Sequence, residues 1–556
     1  MTERFTDMPD DPVPEITSPS ALAPLGYRVY RNIWIGSLGS NTGGQIQAVG
    51  AAWLMTSLTT SADIVALVQA STTLPLVIFS LASGAIADNF DRRRVMLAAQ
   101  VFMLAVSMML AAATWFGVIT PWLLLTFTFL IGCGTALNNP SWQASVGVMV
   151  PRDTLPAAVA LNSVNFNLTR SVGPAIGGLI VAGAGPAVAF LINALSYLPL
   201  LGVIAFWKTD KVKRTLPPET LGHAMTLGLR YVAMSPNIEK VLLRGFVFGF
   251  AAIAILALLP LVARDLPEGG PLLFGVLLGC FGIGAVAGAF LGSRARRQWA
   301  NETVARIAFS SYALAVAVIG LADTAWLAGA GAAIGGIGWV MALSMFNVTV
   351  QLSSPRWVLG RALALYQTAT FGGMALGSWI WGLVAEAQDT RFALIAAAIV
   401  LLFGAAIGLR LPLPVEPSDN LDPANRWREP NVLLDLQGRS GPVNVMIEYR
   451  IKRNDTKAFL EVMNERRRIR RRDGARRWEL LRDTEEPERW IESYHVPTWD
   501  EYHRHINRRT LADLDVDERI RTLHSSSEPP RVHRMVVRPT RPRQPGLQTK
   551  TPVDLG

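Results

Sequence analysis

Long apolar segments alternate with short polar connections over the first four hundred residues of the chain. The hydrocarbon core of a bilayer is about 30 Å thick, so a helix that spans it needs roughly 20 mainly apolar residues. The pattern predicts twelve membrane-spanning helices, near 32–57, 64–87, 94–118, 121–149, 156–183, 186–207, 238–263, 271–293, 302–322, 325–352, 357–384 and 391–411. Beyond about residue 412 the composition changes, which indicates a part of the chain in a different solvent.

Composition and charge agree with a membrane protein. The 556 residues are 51% hydrophobic and only 17% charged, whereas soluble domains have about 25% charged residues. Basic residues mark the cytoplasmic side of a membrane protein. One set of connections contains Arg92, Arg93, Arg94, Arg152, Lys208, Lys211, Lys213, Arg214, Arg294, Arg296, Arg297, Arg356 and Arg361, whereas the other has essentially Arg264 and Arg391. This asymmetry predicts a multi-pass protein of the inner membrane with both termini in the cytoplasm.

An internal repeat relates the two halves of the apolar region. Several residues recur after 204 positions: Gly84, Arg92 and Arg93 match Gly288, Arg296 and Arg297, Pro151-Arg152 matches Pro355-Arg356, and Gly173 and Gly178 match Gly377 and Gly382. Duplicated halves are common in secondary transporters. We therefore expect two pseudo-symmetric six-helix halves, at 25–207 and 237–411. The linker 208–236 is expected to hold an amphipathic helix with apolar positions Leu221, Met225, Leu229 and Val232.

The remaining segments predict two disordered ends and a small soluble domain. Residues 1–24 are acidic and proline-rich and are expected to be a disordered cytoplasmic tail, as are 541–556, while 412–440 is a proline-rich linker. From Val443 to Ile451 apolar side chains alternate as on a half-buried strand. A helix near 455–471, strands near 475–482 and 489–496, a helix near 498–509 and a strand at 532–538 complete a βαββαβ order over 441–540. The predicted fold is thus an all-α membrane protein with a C-terminal ferredoxin-like α+β cytoplasmic domain.

Two motifs give the chain a family resemblance. Gly84-x-x-x-Asp88 followed by Arg92-Arg93, in SGAIADNFDRRRVML, resembles the loop-two motif of the major facilitator superfamily. Gly173-Pro174-x-x-Gly177-Gly178 in the fifth span resembles the signature of exporting members of that superfamily. The DRRR form resembles the subgroup that contains the enterobactin exporter and macrolide efflux proteins. The C-terminal domain resembles antibiotic-biosynthesis monooxygenase-type domains, a resemblance that implies dimerisation.

The first resemblance implies a cytoplasmic gate. Its residues would be Gly84, Asp88, Asp91, Arg92, Arg93, Gly288, Arg296 and Arg297. In the family the acid and the arginines of this motif make charge contacts between the halves when the inward mouth is closed. A hydrated ion pair is worth only about 0–1 kcal/mol, so such a latch can form and break during a transport cycle.

Polar residues inside the spans are candidates for the substrate pathway. Arg170 lies near mid-membrane in the fifth span, where a lipid-facing arginine costs about 2.5–3.5 kcal/mol or more, so we expect it to face a central cavity. It would either anchor an anionic or catechol-like substrate or pair with a polar neighbour. The other candidates are Asn41, Gln45, Gln69, Asn138, Asn139, Gln143, Asn162, Asn165, Asn167, Asn347, Gln351 and Gln367. About a third of them are expected to line the path, and the rest to join helices.

The sequence gives weaker evidence about the energy coupling and the cofactors. Proton coupling follows from the family analogy, with Asp63 and Glu386 near the outer ends of spans as weak candidates for the titrating group. We expect no cofactor and no metal, because His495, His503 and His505 read as part of a solvated face. Nucleic acid is not an expected partner. The absence of a GxxxxGK[ST] motif argues against ATP as the energy source.

Together these features favour a secondary transporter that exports a small molecule, either a drug-like compound or a siderophore, by alternating access across the bacterial inner membrane. Two alternatives remain open at this point. One is an importer on the same fold, and the other is a membrane-anchored enzyme or sensor that acts through the C-terminal domain. The leading hypothesis treats the chain as a transporter and not as an enzyme.

Overall fold

The computed structural model describes residues 22–89, 91–151, 154–207, 221–267, 269–355, 357–413, 421, 424 and 432–537. The side chains of 80–89, 144, 147, 148, 156, 221, 223 and 224 are outside this description. Most of the predicted tails and of the proline-rich linker also lie outside the described residues. A short 3₁₀ helix at Ala23–Gly26 begins one residue before the predicted end of the N-terminal tail.

Two sets of six long helices form the main body of the described chain. The first set is α1 (Arg28–Leu58), α2 (Ala62–Asn89), α3 (Arg92–Trp115), α4 (Pro121–Met149), α5 (Leu155–Ala184) and α6 (Pro186–Phe206). A shorter helix, α7 (Leu221–Ala233), precedes the second set. The second set is α8 (Pro236–Asp265), α9 (Pro271–Gln298), α10 (Asn301–Gly320), α11 (Ala325–Leu352), α12 (Leu359–Ala387) and α13 (Thr390–Ile407). Each predicted span coincides with one long helix to within five residues at either end.

Hydropathy divides the long helices into two groups. Over the described residues, nine of them are long and apolar enough to cross a membrane by length and composition. The other three are α1, α5 and α12, which carry polar residues such as Asn41, Arg170 and Gln367. These three helices pack against others in the bundle, with α1 on α5 and α6 and α12 on α2 and α8. Neighbouring helices can therefore shield their polar positions from lipid.

The two halves repeat the same packing. In each half the first helix packs on the fifth and sixth, the second on the fourth, and the third on the fourth and sixth. The halves meet along two seams, α5 with α9 and α2 with α12. The 204-residue repeat relates α5 to α12 and α2 to α9, so the two seams are equivalent. The predicted fold class, two related six-helix halves followed by an α+β domain, is confirmed.

The C-terminal domain is a sheet covered by helices. Its elements are β1 (Val443–Arg450), α14 (Thr456–Arg472), β2 (Arg476–Arg482), β3 (Arg489–Val496), α15 (Trp499–Asn507), α16 (Leu511–Leu523) and β4 (Arg531–Val536). The strand order is β2-β3-β1-β4 with every neighbouring pair antiparallel, as expected for the βαββαβ arrangement. Alternate residues of β1, from Val443 to Tyr449, are buried with Phe459, Val462 and Met463 of α14.

Two local predictions need correction. The helix predicted near 498–509 is α15, but a further helix that was not predicted, α16, follows it and starts at the capping box formed by Thr510 and Asp513. Helix α7 forms inside the predicted linker, but its buried face includes Leu227 and Tyr231, whereas Leu229 is 50% exposed. The apolar spacing therefore located the helix and one buried position, Val232, but wrongly placed Leu229 on the buried face.

Candidate functional site

The α5–α9 seam is built on glycines that bring two backbones into contact. A Cβ atom at Gly178 would lie 2.8 Å from the Cα of Gly275 and 2.9 Å from the carbonyl oxygen of Pro271. Farther along α9, a Cβ at Gly282 would overlap the Cα of Ser171. Small residues permit this close approach of helices in a membrane. The two halves therefore touch through the backbone along this seam.

The glycines of the fifth-helix motif face two different neighbours. A Cβ at Gly173 would lie 2.6 Å from the Cβ of Gln45, and one at Gly177 would lie 3.0 Å from the Cα of Ile46, both on α1. Gly178 instead faces α9, and the Pro174 carbonyl lies 2.7 Å from the Cβ position of Gly275. The motif thus packs α5 simultaneously on its own half and on the other half.

The α2–α12 seam repeats this arrangement and adds a charged contact. A Cβ at Gly382, the repeat partner of Gly178, would lie 2.8 Å from the Cα of Asp63. A carboxylate oxygen of Glu386 accepts a hydrogen bond of 2.5 Å from the backbone N–H of Ala62, in the first turn of α2. Asp63 accepts from the backbone N–H of Ile64 at 2.8 Å. Both predicted coupling residues therefore lie where the two halves meet at one end of the bundle.

This end, called the far end below, lies opposite the C-terminal domain. Besides the contacts at Gly178 and Gly382, the rings of Trp53 and Phe274 stack across the halves with centroids 6.5 Å apart. The opposite end, called the domain end, includes α7 and the connection before α12, which contact the C-terminal domain. The contacts at Glu386, Gly382, Gly178 and Trp53 join the two halves at the far end.

Arg170 extends from one half into the other. Its guanidinium carbon lies 5.6 Å from the ring centroid of Phe281 and 5.3 Å from that of Trp339, both in the second half. Gly282 permits the approach, because a side chain there would overlap the backbone next to Arg170. Within the described residues no carboxylate forms an ion pair with Arg170. The predicted interior position is therefore observed, with aromatic rings in place of a polar partner.

The other predicted pathway residues are dispersed. The side-chain amide of Asn41 donates to Asn165 at 3.1 Å, and Asn165 donates to the carbonyl of Trp34 at 3.1 Å, so this pair joins α1 to α5. Thr72 contacts Gln69, Gln351 donates to Asn347, and Gln45 lies against Gly173. Asn139, Gln143 and Gln367 are exposed in the bundle. No described side-chain hydrogen bond joins any of these residues to Arg170.

Several predicted gate residues make contacts inside a single half. Asp91 caps α3 by accepting from the backbone N–H groups of Arg93 at 2.9 Å and Arg94 at 3.4 Å. The Arg93 guanidinium donates to the carbonyl of Ile204 at 3.0 Å, in the last turn of α6. Gly288 packs on α11, because a Cβ there would lie 2.6 Å from the carbonyl oxygen of Ile337.

The rest of the predicted gate is described only in part. Arg92 begins α3, and Arg296 and Arg297 lie in the last turn of α9. Gly84 and Asp88 lie on α2, and their side chains are outside the described part of the chain. The latch between the halves therefore stays a prediction.

Two polar clusters were not anticipated. In the first half, Gln47 accepts from Ser107 at 3.1 Å and also from Asn193, which joins α1, α3 and α6. In the second half, fully buried Arg244 pairs with Glu302 at 3.3 Å, and Glu302 also accepts from the backbone N–H of Leu413 at 3.0 Å. An arginine inside an apolar span is the signal that would have revealed the second cluster.

The interior of the C-terminal domain contains a charged network rather than a solvated face. Burial raises the pKa of the Glu492 carboxyl, but Arg470 at 3.1 Å and Arg466 at 3.5 Å outweigh it and lower the pKa to about 2. Burial and the nearby Arg470 lower the pKa of His505 to about 3. The expectation that His505 lies on a solvated face is wrong, because it packs beside Tyr494 in the core.

The C-terminal domain contacts the domain end through α7. The Arg468 guanidinium donates to the carbonyl of Met234 at 2.7 Å, and Arg472 lies over the ring of Tyr231 at 5.6 Å. A Cβ at Gly474 would be 3.2 Å from Leu227. Tyr231 in turn packs edge-on against Trp357 of the second half, with ring centroids 5.6 Å apart. Helix α7 is thus held between the domain and the second half.

The repeated halves, the glycine seams and the arginine between aromatic rings define a membrane transporter of the major facilitator type. The family described as transmembrane secretion effectors matches residues 19–542. The chain belongs to this family. It is a multi-pass membrane protein.

The relatives are remote. Macrolide efflux protein A of Streptococcus pyogenes is 24% identical over 46% of this chain, and the match spans 66% of that protein's length. Multidrug efflux pump Tap of Mycolicibacterium fortuitum is 25% identical over 68% of this chain and 95% of its own length. The staphyloferrin A transporter of Staphylococcus aureus is 23% identical over 47% of this chain and 63% of its own.

Solved structures share the fold. A bacterial homologue of the lysosomal transporter Spinster, inward-facing and unoccupied, has a TM-score of 0.55 at 13% identity and covers 69% of this chain and 96% of its own. A POT family transporter in complex with 5-aminolevulinic acid has a TM-score of 0.57 at 14% identity, covering 70% and 96%. At these identities the likeness concerns the fold alone.

Proposed function

We propose that this protein exports a small molecule across the bacterial inner membrane by alternating access. The observation that carries the proposal is the pair of equivalent seams, α5–α9 and α2–α12, which join two complete six-helix halves at the far end. Each seam contains a glycine contact, at Gly178 and at Gly382. Two related seams allow the halves to rock about a central site and to exchange a closed far end for a closed domain end.

The contacts at the far end are weak enough to break in each cycle. The charged contact from Glu386 to the first turn of α2 is worth about 0.3–1 kcal/mol at an exposed position. The Trp53–Phe274 stack adds about 0.5–1.5 kcal/mol. Opening the far end therefore costs a few kcal/mol, which substrate binding or a proton gradient can supply. The efflux proteins among the relatives and the fifth-helix motif support export as the direction of transport.

In the proposed orientation the domain end faces the cytoplasm, since the arginine-rich connections lie there. Residues 25–207 and 237–411 are the moving halves, 208–236 and 412–440 are linkers, and 441–540 is a cytoplasmic domain without enzymatic activity. We expect proton coupling, with Asp63 and Glu386 as the candidate titrating groups. The C-terminal domain is a candidate for dimerisation.

A disulfide across the α5–α9 seam tests the rocking. The Cβ of Ala175 lies 3.5 Å from the Cβ position of Gly279, within the range that a disulfide requires. From a panel of anionic, neutral and cationic fluorescent compounds, those that the parent protein exports from loaded cells are selected. We expect oxidation of A175C/G279C to abolish their export and reduction to restore it. Both natural cysteines, Cys133 and Cys280, are free thiols and are replaced by serine.

A matched pair inside one half provides the control. The Cβ position of Gly335 also lies 3.5 Å from the Cβ of Ala315, but both belong to the second half. Export should continue when A315C/G335C is oxidised. Undiminished export by fully oxidised A175C/G279C would refute alternating access through this seam. Uptake rather than efflux in cells, with the same response to oxidation, would reverse the direction and identify an importer.

A further inference from the structure

The middle of the α5–α9 seam has the properties of a binding site for an anion. Arg170 is the sixteenth residue of the 30-residue helix α5, so it lies at the midpoint of a membrane-spanning helix. Its guanidinium lies between Phe281 and Trp339, on two helices of the other half. It therefore occupies the one level of the bundle that both sides of the membrane can reach in turn.

Among the residues that the structure describes, no carboxylate neutralises the charge of Arg170. The described carboxylates of the long helices, including Asp63, Asp265, Glu302 and Glu386, lie in the first or last turns of their helices. A charge at the bilayer centre costs about 2.5–3.5 kcal/mol or more. The two cation–π contacts, each worth about 0.5–2 kcal/mol, offset this cost but supply no counter-charge. An anion that reaches the guanidinium would supply it.

The neighbouring hydrogen-bonding groups are already engaged. The hydroxyl of Tyr312 donates to the carbonyl of Ala252 at 2.8 Å, and the side-chain amide of Asn165 donates to Trp34 at 3.1 Å. Arg170 itself remains partly exposed rather than sealed. No hydrogen bond from the Arg170 guanidinium occurs among the described residues, and the surfaces beside it are the flat faces of Phe281 and Trp339.

We infer that this site binds small amphipathic anions in which a carboxylate is attached to a flat apolar body. The carboxylate would pair with the fork of N–H groups of Arg170, as carboxylates do with guanidinium in general. The apolar body would lie against Phe281 or Trp339. A cation of the same shape would be repelled. The inference rests on the proposed function, because it names the class of substrate that the central site takes.

Binding of a matched pair of probes tests the site without any transport step. The full chain in lipid nanodiscs is titrated with 2-naphthoate and with 2-naphthamide, which differ in charge and little in shape. We expect naphthoate to bind at least tenfold more tightly than the amide. R170Q should remove this preference, whereas R170K should retain part of it because the charge remains.

Two further measurements keep the result decisive. Size-exclusion profiles and the α-helical circular dichroism show whether R170Q is folded, and F281L tests the aromatic wall while keeping the charge. F281L should weaken both probes alike. Equal binding of the two probes by the parent protein, or a preference that survives in folded R170Q, would overturn the inference. That outcome would leave the disulfide test of alternating access untouched, so the two proposals can fail separately.

Discussion

Replacing Gly178 by alanine is expected to shift the protein away from the conformation with a closed far end. The new methyl group would lie 2.8 Å from the Cα of Gly275, whereas ordinary contacts at a Cβ begin at 3.4 Å. The two helices must therefore separate by roughly 0.6 Å, the difference between these distances. Because both opposing atoms belong to the backbone, no side chain can rotate to relieve the overlap.

The magnitude follows from the cost of overpacking. Inserting a methyl group into a tight contact costs about 1–3 kcal/mol. Alanine also favours a helix over glycine by about 0.5–1 kcal/mol, but this gain applies to α5 in every conformation of the transporter. It therefore cancels in the equilibrium between conformations. At about 1.4 kcal/mol per factor of ten, the fraction with an open far end should rise roughly 5- to 150-fold.

Cysteine labelling measures this shift. W53C, in a chain whose natural cysteines are replaced by serine, places a thiol at the far-end contact with Phe274. The rate of its modification by a membrane-impermeant maleimide reports opening of the far end. G183A is the matched control, because Gly183 lies on the same helix with no heavy atom within 4 Å of its Cβ position. G183A should label at the parent rate.

The result also decides whether the seam is a rigid contact. If G178A and G183A label equally, the backbone contact with Gly275 does not control the conformational equilibrium, and the reasoning from close approach is refuted. Faster labelling in G178A together with slower export would instead indicate that the closed far end is a required step of the cycle.

Three other changes have defined outcomes. E386Q keeps an acceptor for the backbone N–H of Ala62 but removes the negative charge, so the rate of far-end labelling should rise by a factor of about 2–5. An unchanged rate would show that this charge does not hold the far end closed. H505Q should reduce the loss of stability of the C-terminal domain as the pH falls below 6.5. In the parent protein, buried His505 has a pKa lowered to about 3 and stays neutral while the unfolded chain takes up a proton, so roughly 1.4 kcal/mol of stability is lost per pH unit. Hydrogen exchange of residues 443–537 in the full chain measures this stability. The same pH dependence in H505Q and in the parent protein would contradict the prediction. L227E should release the domain from α7 and speed exchange in both, while L229E, at a 50% exposed position, should not.

Hydropathy was sufficient to predict the helices of the membrane part. Each helix satisfies its backbone hydrogen bonds within itself, so length and apolar content define a span with little help from tertiary structure. Helices α1, α5 and α12 are the instructive cases, because their polar residues weaken this signal. The 204-residue repeat supports α5 and α12 independently, since it pairs Gly173 with Gly377 and Gly178 with Gly382.

A site residue could be predicted from the sequence only where its side chain is energetically costly at its position. Arg170 stood out because a charge at mid-membrane must avoid lipid. Its partners Phe281 and Trp339 gave no such signal, since aromatic residues are ordinary in apolar helices. Arg93 shows a limit of the motif: it suggests a contact between the halves, which stays a prediction, and in this conformation the guanidinium donates to the carbonyl of Ile204 in its own half. A motif fixes the residue type, whereas the available acceptors fix its contact.

Departures from the repeat locate the chemistry better than the repeat itself. Gly178 and Gly382 have the same role in their seams, so this part of the duplication carries the scaffold. The repeat partner of Arg170 is Met374, and that of Glu386 is Ala182. The central charge and the charged far-end contact therefore occur once each. Because pseudo-symmetric halves would otherwise treat both seams alike, these unpaired charges support the two proposals made above, that an anion binds at the α5–α9 seam and that a proton acts at the α2–α12 seam.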